Sequence, residues 1–225
     1  MLSFSVCKGC YRSFDTFPFY NVWYLCLIDK PTIVFEVFEK YINNKDVVLT
    51  AEELSLIKLR ATEKKIRKHH YLLQEDTIWK YNAFVCSGCF RMYTIDAKGE
   101  HILRFAFENW WAGDRESYTA GTPSKYNIEA LEDTEVLLWT KPDFAFLLEV
   151  IPSLKQLMNT LIVNNQIASQ SRIHAAISYT VEERYRDFVK RHPGITNRIP
   201  LHMIASYLGV TRETLSRIRN QHSKK

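Results

Sequence analysis

Apolar positions change their spacing several times along this chain, and each change marks a different kind of element. From Ile33 to Tyr41 they recur at Val34, Val37, Phe38 and Tyr41, the three-and-four step of a helix lying on a core. Thr50 followed by Glu53 forms a capping box, so a second short helix should run from Ala51 to about Lys58. Between Ala61 and Trp139 the apolar runs shorten and alternate. Phe84-Val85 precede Ser87-Gly88, while Phe90, Met92 and Thr94 alternate with Arg91 and Tyr93. Asp96 to Gly99 is a turn before Ile102, Leu103, Phe105 and Phe107, and Ile128 to Trp139 holds two more strand-like runs around Glu132-Asp133. Short strands separated by turns about every ten residues predict a β-sandwich or β-roll.

Beyond Lys141 the period lengthens again. Leu147, Ile151, Leu154, Met158, Leu161, Asn165, Ala168, Arg172 and Ala175 follow alternating steps of four and three, the seam of a coiled coil. This predicts a homodimer joined along Leu154, Met158, Leu161, Asn165 and Ala168, with Asn165 setting the register of a parallel pair. The alternative is a single helix packed on its own sheet. Pro152 can open or kink this helix, and Val181 to Lys190 forms another, stopped by His192-Pro193-Gly194. The fold class is therefore α+β: an antiparallel, jelly-roll-like β-roll over residues 32–150, a dimerisation helix over 151–178, and a small helical domain over 179–225. Residues 1–31, rich in Phe and Tyr without a steady period, are either an apolar extension or the product of a start codon placed too early.

The last domain carries the clearest chemistry. Met203, Ile204 and Leu208 give one short apolar helix, and Gly209 stands where it must stop and reverse. Thr211 caps a second helix whose Leu215 and Ile218 face inward, and Ala205 is small enough to let the two helices cross closely. This is the pattern of a helix-turn-helix. On the second helix Arg212, Glu213, Ser216 and Arg217 fall on the outer face. An Arg can grip guanine O6 and N7 with two hydrogen bonds, and a Glu can accept from a cytosine amino group. Thr211, Arg212, Glu213, Ser216 and Arg217 are the candidate DNA-binding residues.

Charge points the same way. The 225 residues carry a net charge of +5, but from Val181 onward ten basic residues face four acidic ones, which leaves the rest close to neutral. A basic terminal module on a neutral body suits a polyanion such as double-stranded DNA. Apolar residues at 46% and charged residues at 24% are ordinary for a globular chain and exclude disorder. The longest uncharged apolar stretch, Phe17 to Ile28, is shorter than the roughly 20 residues a membrane helix needs. With no signal-peptide pattern, the expectation is a cytoplasmic protein without a membrane partner.

The segment Ile204-Ala205, Leu208-Gly209-Val210-Thr211-Arg212-Glu213-Thr214-Leu215-Ser216-Arg217-Ile218 resembles the helix-turn-helix of the Crp/Fnr transcription regulators. The order of roll, long helix and DNA-binding domain fits that family over about residues 33–221. The resemblance implies that Arg212, Glu213 and Arg217 contact bases. It also implies a homodimer reading two-fold-related half-sites about 34 Å apart, with RNA polymerase as a further partner. The stretch Trp111-Ala112-Gly113-Asp114 is similar to the phosphate-binding cassette of cyclic-nucleotide-binding domains, where a Gly-Glu pair is followed about ten residues later by an Arg and a small hydroxyl residue. Here those later positions are Ser124 and Lys125, the Glu is an Asp, and Arg115 is out of register. The candidate effector pocket is thus Gly113, Asp114, Arg115, Ser124 and Lys125. Lacking the guanidinium fork, it is not expected to hold a cyclic nucleotide. No cofactor is expected, and the small-molecule effector, if there is one, is unidentified.

Cys7-Lys8-Gly9-Cys10 and Cys86-Ser87-Gly88-Cys89 are two CxxC pairs that invite a zinc site, and Cys7, Cys10, Cys26 and Cys86 echo the cluster ligands of oxygen-sensing relatives. Against this, Cys86 and Cys89 fall on an expected hairpin, and buried cysteine is common; no metal is expected. No HExxH, P-loop, GxGxxG or GxSxG motif occurs, so no enzyme is expected. Two alternatives stay open: a redox- or metal-sensing regulator that uses its cysteines, and a dimer whose helix-turn-helix binds a partner other than DNA.

Overall fold

The computed structural model describes residues 33–45, 47–97 and 99–222. Helix α1 (Ile33–Asn43) follows the expected spacing, and α2 (Ala51–Leu59) starts at the Thr50–Glu53 capping box with both of its hydrogen bonds made. The roll consists of β1 (Thr62–Ile66), β2 (Tyr71–Leu73), β3 (Tyr81–Ser87), β4 (Phe90–Asp96), β5 (Gly99–Ala106), β6 (Trp111–Ala112), a short helix α3 (Arg115–Ala120), β7 (Asn127–Ala130) and β8 (Thr134–Thr140). Helices α4 (Lys141–Val150) and α5 (Pro152–Ser178) meet at a 115° bend. Helix α6 (Val181–Arg191) opens on a second capping box, Thr180 with Glu183. A 3-10 turn (Ile195–Asn197) leads to α7 (Leu201–Leu208) and α8 (Arg212–His222). Among the described residues no single helix is long and apolar enough to cross a membrane.

The strands form two antiparallel four-stranded sheets, ordered β1-β8-β3-β6 and β2-β7-β4-β5. The sequence of β3 and β8 explains the arrangement. Ala83, Val85, Val136 and Leu138 face the space between the sheets, while Phe84, Cys86, Leu137 and Trp139 alternate with them to the outside. Both sets are buried, so the first sheet must be covered on both faces. Helices α1, α2, α4 and the start of α5 supply the outer cover through Phe35, Phe38, Ile42, Ile57, Leu147 and Leu154, and the Trp139 indole donates to the Ile57 carbonyl at 3.0 Å.

The second sheet is two-faced as well. Phe90, Ile128 and Ala130 point inward, whereas Tyr93, Ile102 and Phe105 point outward. The pairing of β4 with β5 shifts between Met92 and Tyr93, passing over Leu103, and this irregularity puts Ile102 and Phe105 on one face. The β4–β5 part of that outer face is covered by the helix-turn-helix domain: Tyr185, Phe188, Ile204, Leu208, Leu215 and Ile218 share one core with the strands.

At the β4–β7 pair, Arg91 Nε and Nη2 donate to Glu129 at 3.1 and 2.7 Å, and Arg91 also pairs with Glu100. Burial by itself raises the Glu129 pKa, but hydrogen bonds from His69, Arg91 and Tyr93 outweigh it and hold the carboxyl below its ordinary value of 4.5. A carboxylate with a lower pKa in the folded state contributes stability above its unfolded pKa and loses it as pH falls through the folded value. Chemical unfolding midpoints should therefore decline on acidification below about pH 4.5. Glu129→Gln should cost about 3 kcal/mol at neutral pH by leaving Arg91 under-compensated, and should flatten this acid limb. An unchanged acid limb in the variant would reassign the effect to other carboxylates.

Candidate nucleic-acid interface and roll pocket

Gly209 ends α7 in the left-handed region at φ 67°, with its N–H returned to Ala205 and Ser206. Chain reversal there sets α8 across α7, with the 2%-exposed Ala205 in the same core as Leu215 and Ile218. Thr211 Oγ1 accepts from the Thr214 amide at 3.2 Å, so this hydroxyl caps α8. Arg212, Glu213, Ser216 and Arg217, joined by Asn220 and Gln221, line a shallow open groove on the outer side of α8. Arg212, Glu213 and Arg217 are exposed and Ser216 half-buried. The structure thus brings the candidate readers together at the N-terminal part of one helix, where a groove-reading helix needs them.

The opposite side of this domain rests on the roll. Phe105 lies 5.5 Å from the Tyr207 ring and 6.4 Å from Phe188. Ser206 Oγ accepts from Ile102 N at 3.1 Å and donates to the Glu100 carbonyl at 3.0 Å. Arg198 donates to both Glu108 oxygens, at 3.0 and 2.7 Å, and to Glu132. These carboxylates in turn raise the Arg198 pKa. Sequence reasoning missed this docking. Its one visible sign was that Ile102, Leu103 and Phe105 are too apolar for a strand with a solvated face.

The residues of the expected seam on α5 lie on the side of the helix that faces the chain's own roll. Leu154 and Ala175 are buried within the chain, and Met158 and Leu161 are half-buried against the core outside the first sheet. Asn165 and Ala168 are exposed but line cavities on the chain's own side of the helix. This four-and-three series faces its own roll. The apolar residues left uncovered are Val163, Ile167, Ile173 and the 81%-exposed Ile177. Val163, Ile167 and Ile177 form a stripe on the opposite face, while Ile173 borders the cavity beside β5. A helix of this composition is apolar at two registers, and spacing alone does not say which one meets a partner.

A roll pocket of about 610 Å³ lies between the cassette and α5. Gly113, Asp114 and Arg115 line it, whereas Ser124 and Lys125 do not. Gly113 has φ 141°, and a side chain there would meet the Trp79 indole at 2.3 Å. The Asp114 carboxylate is spent internally: Oδ1 accepts from the Glu116 and Ser117 amides at the start of α3, and Oδ2 accepts from Ser124 Oγ at 2.8 Å. Lys125 is exposed and lies 3.5 Å from Glu116. Sequence reasoning missed the aromatic walls, Trp79, Tyr81, Trp110, Trp111 and Tyr118. These residues do not fit a cyclic nucleotide in the cassette's usual manner. The arginine position holds a hydroxyl turned to Asp114, and the ribose-binding acid is a helix cap.

Cys86 and Cys89 lie in different cores, on opposite sides of the roll. Burial pushes the Cys86 thiol up to about 12 and raises that of Cys89 as well, which opposes the thiolate a metal needs. Cys7, Cys10 and Cys26 fall outside the described residues.

Residues 63–150 match the family model of the cyclic nucleotide-binding domain. No curated protein matches the chain. Among solved structures, FixK2 from Bradyrhizobium japonicum aligns with a TM-score of 0.63 at 22% identity, over 73% of this chain and 85% of its own. A CooA mutant from Carboxydothermus hydrogenoformans aligns with a TM-score of 0.62 at 19% identity, over 87% of this chain and 86% of its own. A protein from Eubacterium rectale classed with the Crp/Fnr transcriptional regulators aligns with a TM-score of 0.59 at 18% identity, over 82% and 88%. The chain therefore contains a cyclic nucleotide-binding-type roll. As a whole it has the fold of the Crp/Fnr regulators, α+β with two antiparallel sheets, a long helix and a helix-turn-helix.

If Asp114 is a cap, Asp114→Ala should lower stability by about 1–2 kcal/mol in thermal or urea unfolding. A variant as stable as the parent would return Asp114 to the list of ligand residues.

Proposed function

We propose that this chain is a sequence-specific DNA-binding transcription regulator that acts as a homodimer. The observation that carries the reading is the outer face of α8. It presents Arg212, Glu213, Ser216 and Arg217 to solvent from a helix-turn-helix frame, while the inner face of the same domain is buried. Guanidinium and carboxylate groups at the start of such a helix match the donor and acceptor pattern of the major groove. The Crp/Fnr fold supports this, as does the excess positive charge after Val181. The role is binding rather than catalysis, with RNA polymerase as a further partner of the DNA-bound form.

The exposed outward stripe Val163, Ile167 and Ile177 supports the dimer, since uncovered apolar side chains on one face of a 27-residue helix suit a second copy of the same helix. Two copies would set two α8 helices on half-sites of a near-palindromic operator. The roll acts as a sensor of something other than a cyclic nucleotide, or as a scaffold.

Arg212→Ala and Arg217→Ala should each weaken specific DNA binding by about 1–3 kcal/mol and relax preference at one position per half-site. Fluorescence anisotropy on matched and mismatched duplexes over a salt series would measure both. Equal weakening on every sequence would make them phosphate contacts, and no effect would move the function away from α8. In sedimentation analysis, Ile167→Asp should convert a dimer to a folded monomer. A dimer that survives this change would show that the stripe is not the interface.

A further inference from the structure

A second cavity, of about 670 Å³, lies where β5, α5, α6 and α7 meet, on the far side of Arg104 from the roll pocket. Its walls are largely apolar, with Phe105, Trp110, Phe188 and Tyr207 prominent. Its charges do not balance. Four guanidinium groups line it, from Arg104, Arg172, Arg184 and Arg191, against one carboxylate, Asp187. That carboxylate is already taken by Arg191, at 2.8 Å.

The other three arginines have no carboxylate partner among the described residues. Arg172 Nη1 donates to the Leu103 carbonyl at 3.0 Å, and Arg184 Nη1 to the Leu208 carbonyl at 2.8 Å. Arg184 Nε is buried with no acceptor. Arg104 has only the Trp110 ring, 5.6 Å from its guanidinium carbon. Burial, reinforced by the neighbouring Arg172, depresses the Arg104 pKa, and His192 on the same wall is likewise held below its usual value by burial. Cations gathered in a poorly solvated place without counter-charge are costly, and an anion entering among them removes that cost. The volume is that of a small-molecule site, and the mixture of aromatic walls with a few convergent donors is what such sites use.

We propose that this cavity binds an amphipathic organic anion: an aromatic or alkyl body seated on Phe105, Trp110 and Phe188, with a single acidic head held by Arg104, Arg172 and Arg184. Its walls come from the roll, the long helix and the helix-turn-helix domain together. An occupant therefore touches every part that would have to move in a regulator. That consequence rests on the DNA-binding reading, whereas the binding itself does not.

The test uses the full chain and 1-anilinonaphthalene-8-sulfonate, with uncharged N-phenyl-1-naphthylamine as the control probe. The anion should bind saturably, one molecule per chain. Arg172→Gln should weaken it about tenfold or more through loss of a charge-assisted contact, with no change in the neutral probe. Arg104→Met should have a similar effect. Where that variant does not fold, the half-buried Arg172 carries the test alone. Equal affinity for the two probes, or anion binding indifferent to Arg172→Gln, would overturn the proposal. Sensitivity to Arg104→Met alone would also overturn it, because Arg104 borders the roll pocket too and Arg172 does not.

Discussion

The arrangement depends on one constraint: each sheet of the roll carries apolar side chains on both of its faces. Alternation along β3 and β8 sends Phe84 and Trp139 outward as firmly as it sends Val85 and Leu138 inward. Neither sheet can therefore stand with one face in water. The first is closed by α1, α2, α4 and the start of α5, and the second, over β4 and β5, by the helix-turn-helix domain. Three cores follow from two sheets, and the position of α8 is fixed by the helix-turn-helix core.

Magnitudes decide what holds that domain in place. Arg198 with Glu108 and Glu132 draws the eye, but its side chain is 35% exposed, and pairs so placed contribute about 0–1 kcal/mol after solvent screening. Ile102, Phe105, Phe188 and Ile204 are almost fully buried in the same contact, and each such side chain contributes about 1.5–3 kcal/mol. Apolar contact provides the stability, and the ion pair and the Ser206 hydrogen bonds fix the angle. Because α8 turns its charged face away from this contact, docking leaves Arg212, Glu213 and Arg217 free of it. The arginine-lined cavity opens in the same junction, so a ligand there would adjust a contact made of packing rather than charge.

Much of this was legible in the chain. The capping box at Thr50, the turn from Asp96 to Gly99, and the Gly209 reversal are local chemistry, in which residues a few positions apart satisfy one another. The helix-turn-helix was readable for the same reason. What was not legible involves distant partners. The α5 periodicity is genuine, but two faces of that helix are apolar, and only the location of the roll shows that Leu154 turns inward while Ile167 turns out. Asp114 occupies the place of a ligand residue in the cassette, yet its carboxylate meets Ser124 and the first turn of α3. The roll pocket's aromatic walls and the uncompensated arginines come from elements far apart in the chain, Arg104 and Arg184 being 80 residues apart, and no spacing rule connects them.

The central claim is that paired α8 helices read a specific DNA sequence and that the roll does so without a cyclic nucleotide. Selection of binding sites from a random duplex library by the purified chain, with and without cyclic AMP, tests both parts at once. The account predicts enrichment of a two-fold-symmetric site whose half-sites are centred about 34 Å apart, identical in the two conditions. Enrichment only when cyclic AMP is present, or no enriched sequence at all, would contradict it.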